Sequence, residues 1–202
     1  MQREEKSERS RRQVLDAALK LFSHQGYKGT SVREIAQEAG VSTGNVYHHF
    51  PDKEALFNTL IEEFWAISET ARYPFTRALR TGRFPDNIEQ LGAAARDSVR
   101  DFRPYVALFF VDVIEFEGTH IQRFYSLTPA RFQALLEKSG DEELRKRLRP
   151  GVSPVSALLM TWRLFFNYFT IEFLFNIREP FGKDSNTVIN EIADIVRNGI
   201  LA

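Results

Sequence analysis

"TSVREIAQEAGVSTGNVYHHF", residues 30–50, is the stretch on which the fold turns. Ser31 and Glu34 have the spacing of a capping box, in which each side chain satisfies a backbone donor that a helix start leaves unpaired. Val32, Ile35, Ala36 and Ala39 follow at i, i+3, i+4 and i+7, a narrow apolar stripe of small residues. Gly40 can take the positive φ that ends a helix, and Ser42 can cap the next one. Two short helices therefore meet across a turn of about three or four residues, the helix-turn-helix arrangement.

The second of these helices is short and poorly anchored. Of its apolar side chains only Val46 and Phe50 stand a turn apart, and Pro51 follows at once. With Val46 at the centre of the buried face and about 100° per residue, Gly44 and His48 fall opposite, flanked by Asn45 and Tyr47. The outward face holds an amide, a phenol, an imidazole and a glycine, with Thr43 at the helix start and no long charged side chain. Such a face suits a DNA major groove: Asn reads adenine, Ser and Thr bond bases or phosphates, and Gly44 allows close approach. The glycine costs about 1 kcal/mol of helix propensity. A helix that only packed or only faced water would gain nothing evident from that.

Outward from this stretch the periodicity is helical almost everywhere, and no run alternates apolar and polar as a half-buried strand would. Residues 1–9 have no apolar face and are expected to be mobile. A first helix is predicted from about Ser10 to Gln25, burying Val14, Leu15, Ala18, Leu19 and Phe22, with Gly26 as its C-cap. Asp52 can cap a longer helix that buries Leu56, Leu60, Ile61 and Phe64 and ends or kinks near Pro74. Thr81–Asp86 reads as a loop. Beyond it the composition shifts: 12 of the 18 Phe lie after residue 100. Helices are predicted at 86–101, 104–117, 119–138, 154–178 and 185–200, with Pro104 and Pro154 in first turns. Val155–Ile177 is long enough to span a bilayer. Arg163, Asn167 and Glu172 interrupt it, so a helix buried among helices is the better reading.

"GYKGTSVREIAQEAGVSTGNVYHHFPDKEALF", residues 26–57, resembles the DNA-binding segment of the tetracycline-repressor (TetR) family. The pattern is a Thr-Ser pair, Ile-Ala, Ala-Gly-Val-Ser, Gly-x-Val-Tyr-x-His-Phe and a Lys three residues on; with the first helix it covers roughly residues 10–60. The resemblance implies an all-α chain with a three-helix helix-turn-helix DNA-binding domain at 1–56 and a helical ligand-binding and dimerisation domain at 57–202. It implies phosphate contacts from Thr30, Ser31, Tyr47 and Lys53, with Arg33 at a phosphate or a base. Ser42, Thr43, Asn45 and His48 would face bases, with Gly44 between them. Asn45 is the best single candidate for sequence choice, and His49 is expected to be structural or partly exposed. Arg9, Arg11 and Arg12 form a basic cluster that would reach phosphates or the minor groove, or else sit in a solvated tail.

The C-terminal aromatics chiefly predict a core. Their density in 102–132 and 162–175 exceeds one narrow stripe, so a cavity between helices is a hypothesis. Its candidate lining is Phe109, Asp112, Phe116, His120, Phe124, Trp162, Arg163, Phe166, Asn167 and Phe169. Buried charges need partners: an acid such as Asp112 or Glu115 pairing with Arg163 on another helix is favoured, with a ligand head group as the alternative. Unpaired acids would suit a cationic aromatic effector; Arg163, Arg123 or His120 would suit a carboxylate or acyl thioester. Val188, Ile189, Ile192, Ile195, Val196 and Ile200 form one broad face, so the 154–178 and 185–200 helices are expected to build a homodimer as a four-helix bundle.

Bulk charge names no partner: 27 Lys and Arg balance 27 Asp and Glu. Evidence for nucleic acid must therefore be local. There is no cysteine, no glycine-rich phosphate loop and no HExxH, and His24, His48, His49 and His120 lack metal-ligand spacing. No catalytic residue, metal or cofactor is expected. The absence of cysteine and of an apolar leader fits the cytoplasm. The expected function is a repressor released from a palindromic operator on double-stranded DNA by a small apolar or amphipathic effector. The alternative is a helical small-molecule carrier or protein-binding module that never touches DNA.

Overall fold

A computed structural model describes residues 2–139 and 141–201. The chain is all-α: α1 (Gln2–Gln25), α2 (Val32–Ala39), α3 (Thr43–His49), α4 (Lys53–Ser68), α5 (Pro74–Thr81), α6 (Ile88–Asp101), α7 (Arg103–Phe116), α8 (Gln122–Ser139), α9 (Asp141–Arg147), α10 (Pro154–Phe173) and α11 (Ser185–Ile200). Among the described residues the only β pairing is an isolated bridge, Leu148 to Leu201.

The local signals of residues 30–50 act as their chemistry dictates. Ser31 and Glu34 form the capping box, and Gly40 takes φ 68° to end α2. Ser42 then caps α3 by accepting the Asn45 backbone N–H.

The chain divides into two compact units, Met1–Ala66 with Pro104–Gln122, and Ile67–Arg103 with Arg123–Ala202. The expected boundary at residue 56 falls inside α4, which runs unbroken from Lys53 to Ser68. In the first unit α1, α2 and α3 touch one another. Val14, Leu15, Ala18, Phe22, Ile35, Ala36, Val46, Phe50, Leu56 and Phe57 form their buried core. An aromatic cluster of Phe22, Tyr27, Phe57 and Phe116 extends it to α7, with Tyr27 and Phe116 ring centroids 4.5 Å apart.

In the second unit α6 packs against α5, α10 and α11. Gly92 permits that approach: a Cβ there would lie 2.7 Å from the Phe165 ring and 2.9 Å from Ile189. The apolar 155–177 stretch is α10, which buries Ala157, Leu158, Thr161, Trp162, Phe165, Tyr168 and Phe169 within the protein. Among the described residues no helix is long and apolar enough to cross a membrane.

Several elements differ from expectation. α1 begins at Gln2 rather than Ser10. Residues 4–9 are exposed, but these turns consist of good helix formers with Glu4 and Glu5 at the positive end of the helix dipole. Pro74 opens α5 instead of ending α4, and Pro129, which the sequence suggests as a kink or restart within the 119–138 helix, lies inside a continuous α8. α9 was not expected. α10 stops at Phe173, and the left-handed residues Asn176 and Glu179 shape the connection to α11.

Candidate nucleic-acid interface

α3 stands as a ridge between two open clefts. On one side a cleft of about 580 Å³ is lined by residues 28–34, Thr43, Tyr47, Asp52 and Lys53. On the other a cleft of about 610 Å³ is lined by Lys6, Arg9, Ser10, Ser42, Asn45 and His48, among others. The outward face of α3 is thus split: Thr43 and Tyr47 look into one cleft, Asn45 and His48 into the other, with the exposed Gly44 between them. Tyr47 is 51% exposed, unusual for a large aromatic with nothing covering it. Lys28 and Arg33 are exposed cations on the first cleft, Lys6 and Arg9 on the second.

The remaining candidates brace the turn that leads into α2. Thr30, expected at a phosphate, is only 2% exposed, and its hydroxyl donates to the Gly26 carbonyl at 2.7 Å. Lys53 donates to the carbonyls of Tyr27 and Thr30, each at 2.8 Å, and its ammonium lies 4.0 Å from the Tyr27 ring centroid. Partial burial lowers the Lys53 pKa, against the opposing pull of Glu115 and Glu34. The Ser31 hydroxyl donates to Glu34, and these bonds to Ser31 hold the Glu34 carboxyl below its ordinary value. In the basic cluster, Arg12 pairs with Asp16 and Glu63 and Arg11 lies over the Phe50 ring, so only Arg9 reaches a cleft. His49 has its Nε2 enclosed without a hydrogen-bond partner, and burial lowers its pKa.

α7 holds the same turn from below. The Glu115 carboxylate accepts the backbone N–H of Tyr27 at 2.9 Å and of Lys28 at 2.6 Å. Asp112 is fully buried; it bonds His120 Nδ1 at 2.6 Å and accepts the Ile121 N–H at 3.1 Å. The favoured pairing of these acids with Arg163 is therefore corrected. Backbone donors and a histidine neighbouring in sequence satisfy them, while the exposed Arg163 lies over the rings of Tyr125 and Trp162.

The ten expected pocket residues do not share one unit. Phe109, Asp112, Phe116 and His120 belong to the first, where Phe109 packs on Phe64 and Phe116 and His120 join the aromatic cluster. Phe124, Trp162, Arg163, Phe166, Asn167 and Phe169 belong to the second. There Trp162 packs on Phe132 and Phe166, Phe169 is fully buried and Asn167 is exposed. A cavity of about 290 Å³ within the second unit has a different lining, Leu79, Phe84, Leu136 and Leu144 with Arg83, Glu143 and Arg147 at its polar edge.

Ser10, Lys6 and Lys28 were missed from the sequence. For Ser10 and Lys6 the available signal was helix propensity rather than an apolar stripe, because residues 2–9 make a helix that is polar all round.

Residues 14–60 match the family described as bacterial regulatory proteins, tetR family. The HTH-type transcriptional regulator AcrR of Shigella flexneri is 46% identical over 66 residues, covering 33% of this chain and 29% of that protein. The uncharacterized HTH-type transcriptional regulator YerO of Bacillus subtilis is 32% identical over 127 residues, covering 61% of this chain and 42% of YerO. The chain thus spans under half the length of these curated relatives. Among solved structures, NalD, the secondary repressor of the MexAB-OprM multidrug efflux pump in Pseudomonas aeruginosa, is similar with a TM-score of 0.63 and 25% identity, over 96% of this chain and 98% of that one. A TetR family transcription regulator from Marinobacter aquaeolei VT8 shares the fold with a TM-score of 0.68 at 17% identity, over 100% and 99% of the two chains.

Proposed function

We propose that this chain, which belongs to the tetR family of bacterial regulatory proteins, is a DNA-binding transcriptional repressor and not an enzyme. The observation that carries the reading is the α3 ridge with a cation-lined cleft on each side. A major groove is about 12 Å wide, admits one helix and is walled by two phosphate backbones. Thr43, Asn45 and His48 would read base edges with Gly44 close to the base pairs, and Ser42 would keep its cap while donating outward. Tyr47, Arg33 and Lys28 would hold one backbone and Lys6 and Arg9 the other. Ser31, Thr30 and Lys53 would act through the turn that presents α2. Phosphate contacts fix register and base contacts choose sequence.

A homodimer through α10 and α11 would match a palindromic operator, with the two α3 helices about 34–36 Å apart or a multiple of that. Val188, Ile189, Ile192 and Val196 are buried within their own chain. The exposed apolar side chains left for a second copy are Met160 (59%) and Leu164 on α10 and Ile195 (68%) on α11. A small apolar or amphipathic effector bound among the aromatic helices would favour a conformation whose recognition helices miss the half-site spacing. It does so only through differential affinity for the two states. NalD is named as the repressor of an efflux pump, and that supports repression as the direction.

The test is fluorescence anisotropy with duplexes selected from a random library, across a salt series. Sequence-selective binding whose affinity falls steeply with salt is expected. An Asn45→Ala variant that ranks every operator variant as the parent does would refute the base-reading assignment. Failure to bind any duplex at low salt would favour the carrier reading.

A further inference from the structure

The Ser10 hydroxyl donates to Asn45 Oδ1 at 2.6 Å, a bond between residues 35 apart in sequence. The pair sits in the cleft that Lys6 and Arg9 also line. Both ends of the bond stand on helices. Ser10 lies one turn before the first buried residues of α1, Val14 and Leu15. Asn45 lies in the first turn of α3, its backbone N–H held by Ser42 at 3.2 Å.

A carboxamide is planar, with its oxygen on one edge and its NH₂ on the other. Anchoring the oxygen on α1 therefore turns the two N–H donors the other way. Asparagine reads adenine bidentately only if oxygen and NH₂ both face one base, the oxygen accepting from N6 and the nitrogen donating to N7. Here the oxygen is turned to Ser10. A side chain presenting donors alone fits a base edge that presents an acceptor. Guanine offers O6 and N7, and thymine offers O4. Cytosine offers no acceptor there, and adenine offers N7 alone, with its N6 amino group set donor against donor where guanine has O6.

We propose that Ser10 is a specificity-determining positioning residue: by holding Asn45 Oδ1 it makes position 45 select a keto base, guanine or thymine, over an amino base. The proposal rests on the DNA-binding reading above and adds to it a residue outside the helix-turn-helix and a direction of base choice. It reverses the adenine preference that asparagine alone suggests.

The test is selection from a random duplex library with the parent, Ser10→Ala, Ser10→Thr and Asn45→Ala. The base pair whose preference collapses in Asn45→Ala is the one facing residue 45. On the strand that residue 45 faces, identified as the one on which an abasic nucleotide removes the difference between parent and Asn45→Ala, the parent is expected to favour guanine or thymine over adenine or cytosine between about fivefold and a hundredfold. Ser10→Ala should relax this to under about threefold or shift it to adenine, and Ser10→Thr, which keeps the hydroxyl, should retain it. Non-specific affinity, salt slope and melting temperature of Ser10→Ala should match the parent, as alanine is a good helix former. A merely structural role for Ser10 would move these and leave base choice alone. An adenine preference in the parent, or an unchanged keto preference in Ser10→Ala, overturns the proposal while leaving DNA binding intact. Absence of any enriched sequence with the parent overturns both.

Discussion

Replacing Gly26 by alanine would perturb the turn before α2 twice over. Gly26 has φ 80°, and a Cβ there would lie 2.7 Å from Glu115 Oε1. Holding alanine in the left-handed region costs about 1–2 kcal/mol. Carbon contacts settle at about 3.5 Å or beyond, so the carboxylate must move by roughly 1 Å and release Tyr27 and Lys28. The Lys28 N–H is exposed and returns to water at little cost. The Tyr27 N–H is partly buried, and stranding it costs about 1–3 kcal/mol. Gly26→Ala should therefore lose about 2–5 kcal/mol of stability, and Glu115→Ala alone about 1–3 kcal/mol. In the double variant the obstructing carboxylate is gone, so its loss should equal that of Gly26→Ala. The two effects then fall short of their sum by about 1–3 kcal/mol. Urea unfolding of the parent and three variants measures this. Additivity to within about 0.5 kcal/mol, or a Gly26→Ala protein as stable as the parent, would refute the reasoning.

Gly92→Ala should destabilise even though alanine is worth about 1 kcal/mol more than glycine in a helix. The buried Phe165 and Ile189 block its Cβ, and overpacking costs about 1–3 kcal/mol; Gly199→Ala, with nothing within 4 Å, should be neutral or stabilising in the same thermal melts. His49 has a lowered pKa from burial, so its native state disfavours the proton that the unfolded chain accepts. Its contribution is full above the ordinary value of about 6.5 and lost as pH falls from there through the lowered folded value. Urea unfolding between pH 7 and pH 5 should show this loss in the parent and a shallower one in His49→Gln; equal slopes would contradict it.

The helix-turn-helix was legible because its signals are local. Ser31 with Glu34, Gly40 and Ser42 each satisfy backbone groups within a few residues, so the sequence alone carries the geometry. What was not legible depends on which distant segment arrives. The apolar stripe of α1 begins at Val14, and nothing in a search for stripes reveals the polar turns that bring Ser10 to Asn45. Asp112 and Glu115 were rightly expected to need partners. A choice of partner among backbone N–H groups, histidine and arginine is a tertiary matter. On α11 the periodicity marks one broad apolar face, but α6 and α10 cover Val188, Ile189, Ile192 and Val196 and leave Ile195 outside. For the aromatic residues, density alone does not separate a packed core from a cavity wall, and Phe116 and Trp162 are packed on other rings.

The most direct test of the central claim is a crystal structure of the chain with a duplex chosen by selection. α3 is expected to lie in a major groove, with Asn45 and His48 within hydrogen-bond distance of base edges and Tyr47 and Arg9 at opposite phosphate backbones. A duplex bound on any other face, with α3 left in solvent, would contradict it.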